Sequence, residues 1–224
     1  MSQGNNLLSS SIGRKITMAL SALFLLLFLT QHLFINLLSV INKDTFNEVS
    51  HFMGYNPLVQ KVIQPILIFG TLYHFILGFI LEITNRKARG PQQYAYTNPS
   101  ANSTWTSRNM IISGILILIF LAIHMVDFFF PEMNYKYIQV NPQDPTRYFP
   151  ELVKHFQNPI RVALYVVGFI FLGLHLNHGF QSAFQSMGAN SKKHTPTIKL
   201  IGSFYSILVP ILFTFITLFH FFNS

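Results

Sequence analysis

The sequence predicts an all-α integral membrane protein with five transmembrane helices, and three observations support this fold class. Lys and Arg number 15 and Asp and Glu number 7 among 224 residues, so 10% of the chain is charged, whereas a soluble domain carries about a quarter. Half of the residues are apolar and 24 are Phe. The charges are clustered, and they leave five uncharged stretches, each close to the roughly 20 residues that a bilayer-crossing helix requires.

The five stretches define the predicted helices in chain order. Arg14 and Lys15 resemble the basic start of a cleaved signal peptide, but the first stretch is too long and lacks a small-x-small cleavage site, so we interpret it as a helix. Polar, turn-rich residues 88–107 and proline-rich residues 131–157 form the two longer connections. The predicted helices lie at about residues 14–42, 58–85, 107–130, 158–188 and 197–222, in one transmembrane domain over residues 1–224.

The basic residues predict the orientation, because cytoplasmic loops of membrane proteins are enriched in Lys and Arg. One side carries nine basic residues and one acid, a net charge of +8, and the other carries six of each. The N-terminus is therefore expected in the cytoplasm and the C-terminus outside. The basic side bears no patch interleaved with exposed aromatic residues, so a nucleic acid is not an expected partner, whereas the lipid bilayer is. The nine basic residues are Arg14, Lys15, Arg86, Lys87, Arg89, Arg108, Lys192, Lys193 and Lys199.

Histidine and cysteine usage narrows the chemistry. The chain has no cysteine, which excludes disulfides, thiolate zinc sites, iron–sulfur ligation and covalent c-type haem. An ionisable residue at membrane depth is a candidate functional residue, and four successive predicted helices carry one or more histidines. They are His32, His74, His124, and the pair His175 and His178.

The depths of these histidines predict two pairs. At about 1.5 Å per residue, His124 and His32 lie roughly 10 and 16 Å from the outer boundaries of their helices. His74 and His175 both lie near roughly 20 Å by the same rise. This grouping is typical of a four-helix bundle with two stacked bis-histidine sites. His178 lies a turn nearer the cytoplasm than His175. At that level its side chain could reach a propionate group of a bound cofactor, a water molecule or a partner subunit.

Ligand chemistry favours haem b for these sites. Neutral imidazole binds iron, copper or zinc. A bare zinc ion requires three or four protein ligands at one depth, whereas the iron of a porphyrin requires only two. The alternative for each histidine is a hydrogen-bonded structural role. Small residues near the histidines would admit a flat macrocycle or simply allow close helix packing; they are Gly70, Gly78, Gly114, Gly168 and Gly173. The other histidines, expected to be solvated, are His51, His155, His194 and His220.

Several motifs resemble one known family. They include Ser-Ser-Ile-Gly-Arg-Lys-Ile-Thr-Met-Ala-Leu-Ser at 10–21, Gln-His-Leu-Phe-Ile-Asn at 31–36, Tyr-His at 73–74 and Lys-Ala-Arg-Gly-Pro-Gln-Gln-Tyr at 87–94. Further motifs are Thr-Ser-Arg-Asn-Met at 106–110, Ala-Ile-His-Met at 122–125 and His-Leu-Asn-His-Gly-Phe-Gln-Ser-Ala-Phe-Gln-Ser-Met-Gly at 175–188. Together they resemble the dihaem cytochrome b membrane-anchor subunit of succinate dehydrogenase and fumarate reductase, the succinate:quinone oxidoreductases of the tricarboxylic acid cycle and respiratory complex II.

The resemblance implies a multi-pass subunit of the bacterial cytoplasmic membrane, with the first four helices binding two haems b. A flavoprotein subunit and an iron–sulfur subunit dock on its cytoplasmic side. Electrons from succinate pass to the inner haem, with iron ligands His74 and His175, then to the outer haem, with ligands His32 and His124, and on to a quinone, menaquinone by expectation. Some members carry a Glu in a proton path where this chain has Gly173, so proton coupling is not implied.

Residues around the haems are expected to bind propionates or quinone. Quinone reduction consumes protons, and Asp127, about one turn beyond His124, is the candidate proton donor; its alternative is a solvated acid at a helix end. The candidate propionate partners have an alternative role as interfacial anchors; they are Arg14, Lys15, Arg108, Arg161 and His178.

Two other functions remain open. A cytochrome b anchor of a hydrogenase or formate dehydrogenase would show similar haem spectra, and a histidine-lined metal transporter would show none. The absence of an internal repeat weighs against a transporter.

Overall fold

The computed structural model describes residues 10–89, 109–189 and 191–223, and it is an all-α membrane protein. Within these described residues, five helices are long and apolar enough to cross a membrane. Each has at least 28 residues, which at 1.5 Å per residue gives about 42 Å, more than the roughly 30 Å of the hydrocarbon core. The spans are Ser11–Ile41, Val59–Ala88, Met110–Ile138, Pro159–Ser186 and Thr195–Phe222.

Seven α-helices carry labels here. The spanning helices are α1 (Ser11–Ile41), α3 (Gln64–Arg89), α4 (Met110–His124), α6 (Pro159–Ser186) and α7 (Thr195–Phe222), and two shorter helices are α2 (Lys43–Tyr55) and α5 (Tyr148–Phe156). A π-helical turn, Val59–Ile63, leads into α3. The end of the bundle at which α1 begins and α3 ends is called the basic end, because Arg14, Lys15, Arg86 and Lys87 lie there.

Capping side chains define where several helices begin. The Ser10 hydroxyl accepts a hydrogen bond from the Gly13 amide at 3.0 Å at the start of α1. The Asn42 and Asn158 side chains each accept two backbone N–H bonds at the starts of α2 and α6, and Pro159 follows Asn158 at a first-turn position. These caps satisfy amide groups that have no partner within their own helix.

The third span continues past Pro131, where the sequence predicts a loop from about residue 131. Residues 125–138, called the α4 extension, remain helical through two π-helical turns, Met125–Phe129 and Asn134–Ile138. Proline has no N–H for the usual bond to the carbonyl four residues earlier. In the turn before Pro131, the Phe130 amide bonds to the Met125 carbonyl five residues back, so the ladder has already shifted register where the proline falls.

A compact ionic cluster joins the α4 extension to α5 at the end opposite the basic end. The Arg147 guanidinium bonds to both Glu151 carboxylate oxygens at 3.0 Å and also to Glu132, which pairs with Lys136. Arg147 is 8% exposed. Burial by itself lowers the pKa of Arg147, but its bonds to Glu132 and Glu151 outweigh this effect and raise that pKa. The guanidinium therefore stays charged, and it fixes α5 against the α4 extension.

The same end binds α2 to its neighbours through backbone groups. The Gly54 carbonyl of α2 accepts hydrogen bonds from Lys136 and Gln60. The Asn47 side-chain oxygen accepts a bond from the Phe149 amide at 2.7 Å. The sequence predicts no helix between residues 43 and 57, and these contacts show that this connection is an ordered part of the fold.

His220 corrects one prediction, because it is buried and not solvated. Its side chain is 3% exposed, and its Nε2 lies 2.8 Å from the Ser39 hydroxyl of α1. That hydroxyl donates to the Asn36 carbonyl at 2.6 Å, so it accepts from the imidazole. His220 thus fastens α7 to α1. Of the other three histidines, His51 and His155 are half-buried and only His194 is exposed.

The buried core lies between α1, α6 and α7, and apolar side chains cover the outer faces. Exposed apolar residues such as Leu27, Phe34, Phe69 and Phe204 project from the spanning helices, as expected for surfaces that face lipid. The core centres on α6 and α7, which pack closely along their length. Its members are Leu33, Phe46, Leu152, Phe156, Val162, Tyr165, Phe169, Leu176, Val209, Phe213 and Ile216.

Close approach of α6 to α4 depends on Gly168, and this yields a prediction. A Cβ atom at Gly168 would lie 2.4 Å from the Phe120 ring, whereas a Cβ atom at Gly179 would lie 3.5 Å from the nearest atom, Met110 Cε. Both replacements by Ala add the same helix propensity, so the Gly179→Ala chain is a matched control. We expect Gly168→Ala to destabilise the bundle by about 1–3 kcal/mol relative to Gly179→Ala, through overpacking.

Thermal unfolding of the two variants in the same detergent measures this difference. A clearly lower midpoint for Gly168→Ala is the expected result, and coincident midpoints would contradict the close α4 and α6 contact.

Candidate cofactor site

Four histidines from the first four spans lie inside the bundle as two pairs. The rings of His32 and His124 have centroids 5.7 Å apart and planes at 86°. The rings of His74 and His175 have centroids 6.3 Å apart and planes at 68°. The structure therefore brings together the same partners that the depth argument groups: the first span with the third and the second with the fourth.

The two pairs lie at clearly separate levels. Residues of both levels occur on the same helix in three cases: Ser21 and His32 on α1, Ser113 and His124 on α4, and Tyr165 and His175 on α6. Each couple is 10 or 11 residues apart, which corresponds to roughly 15–17 Å along the helix axis. The depths counted from the outer boundary of each predicted helix give a smaller separation between the two pairs, because the helices end at different heights.

Serine hydroxyls fix the protonation of the pair nearer the basic end. The Ser21 hydroxyl donates to the Met18 carbonyl at 2.8 Å and lies 3.0 Å from His74 Nδ1. A serine has one proton to donate, so Ser21 accepts a bond from the imidazole. His74 is then protonated at Nδ1, and its Nε2 carries a free lone pair, which is the form that binds metals.

The partner imidazole follows the same rule. The Ser113 hydroxyl of α4 donates to the Met110 carbonyl at 2.9 Å and lies 3.3 Å from His175 Nδ1. His175 is therefore also an Nδ1–H tautomer with Nε2 available as a ligand. Each imidazole of this pair is oriented by a serine on a neighbouring helix, as metal-binding histidines commonly are.

The pair farther from the basic end uses different supports. The Tyr165 hydroxyl lies 3.4 Å from His124 Nδ1 and donates to the Asp127 carboxylate at 2.8 Å. His124 is thus the donor toward Tyr165, and its Nε2 is free. The Asn36 amide nitrogen lies 3.4 Å from His32 Nε2 and donates to the His32 carbonyl at 2.8 Å. A donor near Nε2 is compatible only with an unprotonated nitrogen at that position.

The donor set fits an axially coordinated haem. Two metal–nitrogen bonds of about 2 Å each would place the centroids of two axial imidazole rings about 6 Å apart, close to the observed 5.7 and 6.3 Å. Two imidazoles per site suit a group that brings its own equatorial nitrogens. Among the residues that the structure describes, no group of three or more His, Cys, Asp and Glu side chains could hold a bare metal ion.

Asp127 differs from a solvated acid at a helix end, which is the alternative that the sequence offers. It lies in the first π-helical turn of the α4 extension and is 3% exposed. One carboxylate oxygen lies 3.3 Å from the Arg161 guanidinium, and the other accepts the Tyr165 hydroxyl bond. The carboxylate is therefore buried, paired and connected through one hydroxyl to the His124 ring.

The remaining predicted residues have mixed environments. His178 Nε2 lies 2.9 Å from the Ser182 hydroxyl one turn further along α6. Arg14 is half-buried and Lys15 is exposed near the start of α1. Arg108 lies outside the described residues, and so does most of the polar connection at 88–107.

The five glycines fall into two groups. Gly114 faces the cofactor site, because an added Cβ would lie 3.8 Å from the His175 ring. The others face neighbouring helices: an added Cβ would meet Phe24 at Gly70, Met18 at Gly78, Phe120 at Gly168 and the Ser206 carbonyl at Gly173. Helix packing thus explains most of these glycines.

Ser21, Ser113 and Tyr165 are site residues that the sequence did not predict. The two serines carry a signal that could have revealed them, because each lies 11 residues before an intramembrane histidine on its own helix. Eleven residues make about three helical turns, so the serine and the histidine share a face. Tyr165 has no such signal, because it lies 10 residues before His175 on α6, a spacing that places the two side chains about 80° apart around the helix.

The chain is similar to a known membrane cytochrome subunit. No family model and no solved structure matches the chain. The chain is 23% identical over 193 residues to the succinate dehydrogenase cytochrome b558 subunit of Bacillus subtilis (strain 168), and the match covers 86% of each protein. The relative is named as a cytochrome b subunit of succinate dehydrogenase, and the similarity to it is distant but extends over most of both chains.

Proposed function

We propose that this chain is the membrane-anchor cytochrome b subunit of a succinate:quinone oxidoreductase, and that it passes electrons between a soluble flavoprotein and iron–sulfur pair and a quinone. One observation carries the proposal: two imidazole pairs lie at two levels of one bundle, with a neighbouring hydroxyl leaving Nε2 unprotonated on three of the four rings. The similarity to a succinate dehydrogenase cytochrome b subunit supports the choice of complex.

Each imidazole pair would hold one haem b. His74 and His175 would bind the iron of the haem nearer the basic end, and His32 and His124 the iron of the other. When bound, the haem supplies reversible one-electron chemistry. The chain would supply the imidazole nitrogens that hold each iron, on rings oriented by Ser21, Ser113 and Tyr165, and an apolar sheath that excludes water.

Charged and polar groups near the two levels would hold the propionates. Arg14, Lys15 and His178 lie toward the basic end, and Arg108 is assigned to the same end by its place in the sequence. Arg161 forms an ion pair with Asp127. A guanidinium has five N–H donors, so Arg161 can bind a propionate as well.

The proposed orientation follows the charge asymmetry. The basic end would face the cytoplasm, according to the positive-inside rule, in a bacterial inner membrane. The flavoprotein and iron–sulfur subunits would dock there, because the chain has no cysteine and its own residues cannot hold an iron–sulfur cluster. A quinone, menaquinone in this proposal, would react near the opposite level. Succinate oxidation and fumarate reduction use the same membrane parts.

Reduction by substrate tests the proposed function. The chain, purified together with its partner subunits, should show b-type haem absorption that succinate reduces. Reduction by hydrogen or formate in place of succinate would assign the chain to another quinone-linked complex, and absence of any b-type absorption would contradict the proposal altogether.

Replacement of single histidines tests the assignment of ligands. His32→Ala and His124→Ala should each remove or perturb only the outer haem, and His74→Ala and His175→Ala only the inner one, because each iron would lose one of two axial nitrogens. Reduced-minus-oxidised spectra combined with redox titration separate the two haems. His194→Ala, at an exposed position, is the matched control and should retain both. Loss of the same haem from His32→Ala and His74→Ala would refute the pairing.

Replacement of Asp127 tests its proposed part in quinone chemistry. Quinone reduction takes up protons, and a positioned proton donor contributes about 100-fold or more to such a step. Asp127 is a carboxylate in its ion pair with Arg161, so it would first take up a proton from water and then pass that proton to the quinone. Asp127→Asn should therefore slow quinone reduction strongly while both haems stay bound. Glu48→Gln, at an exposed acid on α2, should leave turnover unchanged. Normal turnover in Asp127→Asn would remove this carboxyl from the mechanism.

A further inference from the structure

The two imidazole pairs rest on electrically different supports. At the inner level, Ser21 and Ser113 are neutral hydroxyls whose protons go to carbonyls of their own helices. At the outer level, the hydroxyl that contacts His124 belongs to Tyr165, and its proton goes to the carboxylate of Asp127. Within the part of the chain that the structure describes, only the outer pair is therefore linked through hydrogen bonds to a buried charge.

The direction of each bond in this link follows from its donors. The Tyr165 hydroxyl donates to Asp127 Oδ2 at 2.8 Å, so its oxygen can only accept from His124 Nδ1–H at 3.4 Å. Asp127 Oδ1 lies 3.3 Å from the Arg161 guanidinium. A continuous chain thus runs from imidazole to phenol to carboxylate to guanidinium, and it crosses between the third and fourth spans.

Packing fixes the Tyr165 ring in this position. Tyr165 is 2% exposed, and its ring meets Phe120 and Phe156 edge-on, with centroid distances of 5.1 and 5.3 Å. Edge-to-face contacts of this kind stabilise one orientation of a buried aromatic ring. The phenol oxygen therefore has little freedom to leave the histidine and the carboxylate.

We propose that Tyr165 is a positioning residue for His124 and transmits the charge of Asp127 to this imidazole. A histidine ligand that donates its second N–H becomes a stronger donor to its metal, and a phenol that itself donates to a carboxylate is a better acceptor, because consecutive hydrogen bonds polarise one another. Stronger donation stabilises the ferric state, so the relay lowers the midpoint potential of the outer haem. This inference rests on the proposed haem assignment and adds a role that the assignment does not require.

Redox titration of both haems in the assembled complex tests the relay. Tyr165→Phe keeps the ring and its packing but removes the hydroxyl, and it should shift the outer midpoint to a more positive value, change the low-spin ferric electron paramagnetic resonance signal of that haem and leave the inner haem unchanged. Tyr205→Phe is the matched control. Its hydroxyl bonds to Thr30 and the Leu26 carbonyl, so its loss should move neither midpoint.

A double-mutant cycle separates the relay from a merely structural role. Asp127→Asn, which keeps the side-chain shape and removes the charge, should also raise the outer midpoint, and this shift should be smaller when residue 165 is Phe. Equal shifts in the two backgrounds would overturn the relay, as would an unchanged outer midpoint in Tyr165→Phe. If the Tyr165→Phe complex does not retain the outer haem, the Asp127→Asn variant decides. An outer-haem midpoint potential equal to that of the wild type in Asp127→Asn would then overturn the relay. Absence of b-type haem from the wild-type complex would instead refute the proposed function.

Discussion

The hydrogen bond that His74 donates to Ser21 depends on a simple constraint: a hydroxyl has one proton, and inside a membrane that proton must go to an acceptor in the protein. Ser21 and Ser113 give theirs to carbonyls of their own helices, and Tyr165 gives its proton to a carboxylate. Three imidazoles must consequently donate through Nδ1, which leaves their Nε2 lone pairs as potential ligands. The protonation of the site is thus set before any cofactor enters.

The packing of the helices brings each hydroxyl to its histidine. Each serine reaches a histidine on a different span, so the site exists only when α1 approaches α3 and α4 approaches α6. Gly70 and Gly168 permit those approaches, since a Cβ at either position would press into a Phe ring. The fifth span contributes no histidine to the pairs, but it packs on α6 and is fastened to α1 through His220 and Ser39. The ionic cluster around Arg147 closes the end near the outer pair.

Much of the architecture can be predicted from the sequence, because the bilayer constrains both the length of a spanning helix and the positions of charged residues. The five spans and the grouping of His32 with His124 and of His74 with His175 follow from charge gaps and residue counts. The continuation through Pro131 was not predictable in this way, because it depends on a shift of hydrogen-bond register before the proline. The burial of His220 depends on Ser39, which lies 181 residues earlier in the sequence. The burial of Asp127 depends on Arg161 and Tyr165, which lie on α6, so the spacing of residues along α4 could not predict it.

The amount of haem bound per chain tests the central claim most directly. A pyridine haemochrome assay, combined with quantitative amino-acid analysis of the purified chain, measures the molar ratio of haem b to polypeptide. Two imidazole pairs at two levels predict a ratio of two. A ratio of one would mean that one pair is a structural contact between helices, and a ratio of zero would contradict the interpretation of both pairs as ligand sets.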